Sequence, residues 1–215
     1  VPLPGGKLKK GHVRRDGDLA ALAEAGLSEV IVARLEPGDV AEDAAALQLA
    51  SALVPEPEVA GLRLEAPFTG RVNIRATGPG VVALDAAAIG RLNAVDPMIT
   101  LATVPAWQRV TEGTMVGTVK IISYAVREAA LAAACAAGAA AMRRLPPVVE
   151  VADLVVTETA PGAAAAEARS RRGVGGRGRR LGLTLGAMRG VEGRPEADHA
   201  GTRARGGGVG AVLTG

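Results

Sequence analysis

A second cysteine is missing from this chain. Cys135 stands alone, so these residues can assemble neither an intramolecular disulfide nor a cysteine-based zinc site. Histidine is nearly as scarce. His12 and His199 are the only imidazoles, too few and too far apart in sequence to suggest a metal cluster. Aromatic side chains number one Trp, one Tyr and one Phe, although hydrophobic residues make up 48% of the 215. The core must be built from Ala, Val, Leu and Ile, which favours closely packed α/β or α+β layers over aromatic-rich sandwiches. Long apolar runs are lacking too. The longest, around residues 129–142, is mostly Ala and reads as a helix, short of the roughly 18–20 residues of a membrane span. These absences predict a reduced, cytoplasmic protein. No signal-peptide pattern is read, and because the chain opens on Val1 rather than Met, a preceding segment is expected.

Charge and glycine are present in quantity but unevenly placed. Residues 1–160 carry 15 Lys/Arg against 18 Asp/Glu, and residues 161–215 carry 10 Arg against 4 acids. Of the 29 glycines, 15 fall in that last segment. The composition changes class near residue 161.

Local signals divide the chain. Residues 1–15 are turn-rich and basic, with Leu8 and Val13 as anchors and Lys9, Lys10 and His12 as a solvated basic step. Asp18 predicts the N-cap of a helix through Ala25, closed by Gly26 at the C′ position. SEVIVARL (28–35) is short and β-branched, a strand. Asp39 is placed to cap a helix over 40–53 that Pro55 ends, and Glu42 and Asp43 suit the helix dipole there. Residues 62–66, 70–76, 81–85, 98–104 and 117–123 read as strands, with Gly78-Pro79-Gly80 as a turn and Asp85 capping a helix through Asn93. Residues 126–143 predict an Ala-rich helix, in which Cys135 is a small packing residue rather than a nucleophile. Pro146-Pro147 marks a linker. DLVVT (153–157), a polar turn and an Ala-rich helix at 163–169 then open a βαβ unit. Residues 170–180 and 192–208 are Arg/Gly/Ala text without helical periodicity, the kind a GC-rich reading frame gives when shifted by one base. With little apolar burial to offset the cost of ordering, high mobility is expected over 161–208. LGLTLGAMRGV (181–191) is the next strand, and GAVLTG (210–215) a last one that runs into a Gly turn.

In order, several blocks resemble the molybdopterin-binding proteins of molybdenum cofactor biosynthesis, the family of molybdopterin molybdotransferase and molybdopterin-adenylyltransferase-type domains. The resemblance rests on KLKKGHVRRDGDLAALAEAGLSEVIVARLEPGDVAEDAAALQLASAL (7–53), FTGRVNIRATGPGVVALD (68–85), LNAVDPMITLATV (92–104) and MVGTVKIISYAV (115–126). It is thinner over 153–162, 181–189 and 211–215. It implies an α/β protein with a mixed α+β lead domain at 1–145. Residues 146–215 would be an incomplete three-layer αβα molybdopterin-binding domain, with its pterin loop entered at Thr214-Gly215 and broken off there.

The ligand implied is a phosphorylated pterin dithiolene, with Mg or molybdate joining in the longer protein. Its phosphate needs backbone N–H groups and cations. The positions that match are Thr214 and Gly215, Thr157 and Thr159 in the turn after the domain's first strand, and Thr69, Arg71, Asn73 and Lys120 in the lead domain. Lys120 lies between Val119 and Ile121, and alternation along a strand turns it to the solvent side. The resemblance implies a small-molecule partner and self-association; the short apolar runs predict no membrane partner, and the lack of aromatics among the arginines disfavours nucleic acid. No Ser/His/Asp arrangement and no paired catalytic carboxylates are visible, so catalysis stays open. One alternative is a molybdenum- or nucleotide-transferring enzyme whose active site lies further on. Another class is an RNA-contacting tail at RRGVGGRGRR (171–180).

Overall fold

The computed structural model describes residues 2–3, 6–7, 15–158 and 164–192. In chain order its elements are β1 (Pro2–Leu3), β2 (Gly6–Lys7), α1 (Asp16–Glu24), β3 (Asp39–Ala41), α2 (Glu42–Leu53), β4 (Leu62–Leu64) and β5 (Arg71–Ala76). Then come β6 (Gly80–Leu84), α3 (Ala86–Asn93), β7 (Ile99–Thr103), β8 (Arg109–Val110), β9 (Met115–Ile121) and β10 (Ala125–Arg127). The last are α4 (Glu128–Ala137), β11 (Met142–Leu145), β12 (Val151–Glu158), α5 (Ala164–Arg180) and β13 (Thr184–Glu192). Helices alternate with sheets whose pairings are mostly antiparallel, the mixed α and β class that the aliphatic composition predicts. No helix among the described residues is long and apolar enough to cross a membrane.

One compact unit comprises Val1–Arg75, Leu84–Val104 and Met115–Arg143. Its frame is the four-stranded sheet β4-β5-β9-β7. Alternation in β5 and β9 sends Val72, Ile74, Val119 and Ile121 to one face, where all are at most 2% exposed. Helix α2 lies over that face. Its Ala45, Ala46, Leu49, Ala50 and Leu53 form one buried stripe at helical spacing. Small residues allow close approach here. A Cβ on Gly138, the C-cap of α4, would collide with Leu92 Cδ1 and come within 3.2 Å of Leu53 Cδ2. Asp85 caps α3 as expected, its Oδ1 accepting the Ala88 N–H at 2.9 Å. Gly26 also stands where the sequence placed it, at φ 74 after α1. Leu27 N–H bonds Leu22 C=O at 3.1 Å and Gly26 N–H bonds Ala23 C=O at 3.0 Å, the paired bonds of a Schellman ending.

Four expectations in this unit are corrected. Asp18 is not the N-cap: α1 begins two residues earlier, and Asp18 instead accepts the backbone N–H of Arg15, the N-cap residue three positions before it. Asp39 lies in β3 opposite Arg127, and α2 starts only at Glu42, because β3 and β10 pair ahead of the helix. The Ala-rich helix ends at Ala137 rather than running to 143, since Gly138 closes it and Met142–Leu145 enter a sheet. Residues 28–35 form no strand. β-branched residues favour a ladder only where one is offered, and they have no strand partner among the described residues. The segment is exposed throughout, Ile31 at 97% and Val32 at 65%. Beyond it the chain is tied down again, for Glu36 accepts from Arg127 Nη2 at 2.8 Å and donates its N–H to Asp39 Oδ2 at 2.9 Å.

The other unit comprises Ala76–Ala83, Pro105–Thr114 and Arg144–Gly215. It holds a three-stranded sheet in the order β11-β6-β8 and the parallel pair β12-β13. Between those parallel strands runs α5, so the expected βαβ unit is present. The expected break at residue 170 is not. Helix α5 continues through the Arg/Gly text to Arg180 and ends in a second Schellman arrangement. Leu183 N–H bonds Gly178 C=O at 2.8 Å and Gly182 N–H bonds Arg179 C=O at 3.0 Å, with Gly182 at φ 79. In place of an apolar stripe the helix offers glycine. Gly175 is buried, and a Cβ there would make ordinary contacts, 3.7 Å from both Leu185 Cδ2 and Arg179 Nη1.

Candidate functional site

The sheet β4-β5-β9-β7 has a second face, away from α2. Period-2 alternation places Arg71, Asn73 and Arg75 of β5 on it, with Thr118 and Lys120 of β9 and Thr100 of β7. Register then fixes their neighbours: Arg71 stands opposite Lys120, Asn73 opposite Thr118, and Thr100 opposite Lys120. The sequence-predicted residues Arg71, Asn73 and Lys120 are thus brought together from segments far apart in the chain. Lys120 is exposed on the solvent side, as its flanking residues predict.

Thr69 and Gly70 make the turn that delivers Arg71. Phe68 and Arg71 exchange backbone hydrogen bonds of 2.9 and 3.2 Å across it. Both loop residues have positive φ, 49 for Thr69 and 71 for Gly70, as in the primed turns that suit a hairpin's twist. Gly70 is required there. A Cβ would lie 2.7 Å from the Ile121 carbonyl oxygen, and its N–H donates to Asp43 Oδ1 at 2.7 Å. Thr69 is the anomaly, because a β-branched residue at positive φ is a strained one. Asp43, assigned from sequence only to the helix dipole, therefore also pins the turn to α2.

Asn73 is engaged within the sheet. Its Nδ2 donates to Glu65 Oε2 at 2.8 Å, and its Oδ1 accepts from Thr118 Oγ1 at 3.0 Å. Glu65 also accepts from Arg75 Nε at 2.5 Å. The Asn73 hydrogen bond, reinforced by Arg75, holds the Glu65 carboxyl below its ordinary value of 4.5. Arg71 and Lys120 differ from this trio. Neither makes an ion pair with a described carboxylate. Like charges directly opposite on neighbouring strands are destabilising, by a fraction of about 1 kcal/mol. An anion placed between them removes that cost. The roles of Glu65, Arg75 and Thr118 were missed in the sequence, although the i, i+2, i+4 spacing of RVNIRA already puts Arg71, Asn73 and Arg75 on one face.

The remaining predicted positions are not part of this face. Thr157 lies inside β12 opposite Val191, in the strand rather than in the turn after it. Thr159, Thr214 and Gly215 lie outside the described residues, as do Leu8, Lys9, Lys10, His12, Val13 and His199. Cys135 is half-buried in α4, and burial pushes its thiol up, away from the thiolate a nucleophile needs. Among the described residues no group of three or more His, Cys, Asp or Glu is placed to hold a metal ion. Comparison of the chain with protein-family models, with curated proteins and with solved structures finds no significant match.

Proposed function

We propose that this chain binds a phosphorylated pterin of the molybdopterin class, in the biosynthesis of the molybdenum cofactor, with the phosphate held between Arg71 and Lys120. The pathway comes from the family resemblance of the sequence blocks. The observation that supports a phosphate there is the direct opposition of two exposed cations with no acidic partner among the described residues, beside a turn held in a strained conformation at Thr69. The donors on this face suit a phosphate oxygen. They do not suit magnesium, whose ligands are carboxylate, carbonyl and water oxygens. The parallel β12–α5–β13 arrangement agrees with a three-layer αβα assignment for the region after residue 146, which is part of the same proposal.

Fluorescence titration with molybdopterin tests the reading. The double variant Arg71→Gln/Lys120→Gln is expected to weaken binding by at least about tenfold, because charge-assisted hydrogen bonds contribute roughly 1.5–3 kcal/mol each. Both side chains are exposed, so the fold should be unchanged. Unaltered affinity in the double variant would remove the site. Binding without turnover on added molybdate would favour a carrier over a transferring enzyme.

A second reading attaches to α5, where Arg172, Arg177, Arg179 and Arg180 are all exposed. Such a row attracts a polyanion such as RNA through its phosphates. Filter binding with and without about 200 mM added salt distinguishes it, since phosphate-driven binding falls steeply with salt.

A further inference from the structure

Where β11 ends, the chain passes through Pro146 and Pro147, and the turn after α5 lies beside it. Together with β6 and β8 they line an open cleft of about 380 Å³ within the second unit. Leu145, Pro147, Leu181 and Leu183 give it apolar walls, and Arg109 and Arg180 are its charged lining residues. Among the described residues no acidic side chain lines it. Its volume falls in the range of small-molecule sites, which pair mostly apolar walls with a few charged groups.

The walls are fastened in place by glycine. A Cβ on Gly182 would meet Pro79 Cγ at 2.7 Å and Pro147 Cγ at 3.0 Å, so the turn after α5 is packed on both prolines. Gly80 is in the same position, its absent Cβ taken up by the Leu145 carbonyl. Arg144 Nη1 donates to the Pro79 carbonyl at 2.7 Å and closes the set. A cleft held this way keeps its shape before a ligand arrives, which lowers the entropy cost of binding.

The geometry points to a binding site for a small planar aromatic or heteroaromatic acid, its ring against Leu145, Pro147, Leu181 and Leu183 and its anionic group between Arg109 and Arg180. Two guanidinium groups with no acid among the lining residues select a negative charge, and apolar walls select a ring over a sugar or a free phosphate. The site is independent of Arg71 and Lys120 and does not rest on the molybdopterin reading.

Trp107 makes the test direct. It is the only tryptophan of the chain, 65% exposed, and two residues from Arg109. The probe is 1-anilinonaphthalene-8-sulfonate, an anion with an apolar naphthalene ring that accepts energy from tryptophan. We expect one equivalent to bind the full chain, with transfer from Trp107 on indole excitation. Trp107→Phe should bind the dye equally when the dye is excited directly, with the transfer lost. Arg109→Gln/Arg180→Gln should weaken binding tenfold or more at unchanged circular dichroism, whereas Arg71→Gln/Lys120→Gln should leave it as it was. 2-Naphthoate should displace the dye at concentrations where 2-naphthol does not. Wild-type dye affinity in the Arg109/Arg180 double variant would overturn the proposal, as would equal displacement by naphthol or the absence of transfer from Trp107 to the dye bound on the unsubstituted chain.

Discussion

At the scale of single residues, charge on the open sheet face is arranged in two ways. Glu65 is satisfied by Asn73 and Arg75, while Arg71 and Lys120 face each other with no ion pair to an acid among the described residues. The two arrangements respond differently to pH. The folded Glu65 carboxyl titrates below 4.5, so it binds a proton less readily than its unfolded form. Its contribution to stability is complete above that value and is lost as pH falls through the lowered folded value. Urea midpoints measured at pH 3 and pH 6 should therefore draw closer together in Glu65→Gln than in the parent. An equal gap in both would show that Glu65 is not coupled to folding. Much of this face was legible beforehand. Alternation alone put Lys120 outside, and the spacing of Arg71 and Asn73 placed them on one side. Which cation keeps an acidic partner was not legible, because that depends on the register of β5 against β9 and on Glu65 reaching back across the Thr69-Gly70 turn.

At the scale of elements, the ends of helices were easier to read than their faces. Gly26, Gly138 and Asp85 all sit at helix ends, Gly26 and Asp85 as the sequence predicted. The far end of helix α5 was not legible because residues 170–180 show no apolar periodicity in the sequence. Among the α5 residues with described burial, Gly175 is the buried one. The signal that would have found its end was nonetheless present: Arg177, Arg179 and Arg180 in the last turn, then Gly182 at C′. A helix this rich in glycine carries a conformational cost of roughly 1 kcal/mol per interior glycine relative to alanine. Gly176 has no atom within 4 Å of the Cβ it lacks. Gly176→Ala should therefore raise stability by about 0.5–1 kcal/mol, seen as a higher urea midpoint at constant slope. A lower midpoint would mean that this face of α5 is covered.

At the scale of the whole molecule, the chain visits the second unit three times, at 76–83, 105–114 and from 144 onward. Strands β6 and β8 must wait for Met142–Leu145 to complete their sheet, so part of that unit closes through contacts distant in sequence. Contacts of that kind slow folding, because loop entropy is lost before the pairing is gained. One further property follows from the uncovered segment at 28–35. It holds Val30, Ile31 and Val32 in a row, contains no proline or glycine, and carries one charge of each sign. Short segments of that composition stack on copies of themselves into cross-β layers, and this one is on display without any unfolding. Shelf life and thermodynamic stability then part company: concentrated solutions should turn cloudy at temperatures where the core is still intact. Ile31→Lys should delay that clouding, read by light scattering, and leave the urea midpoint where it was. A midpoint that fell would place Ile31 inside the fold after all.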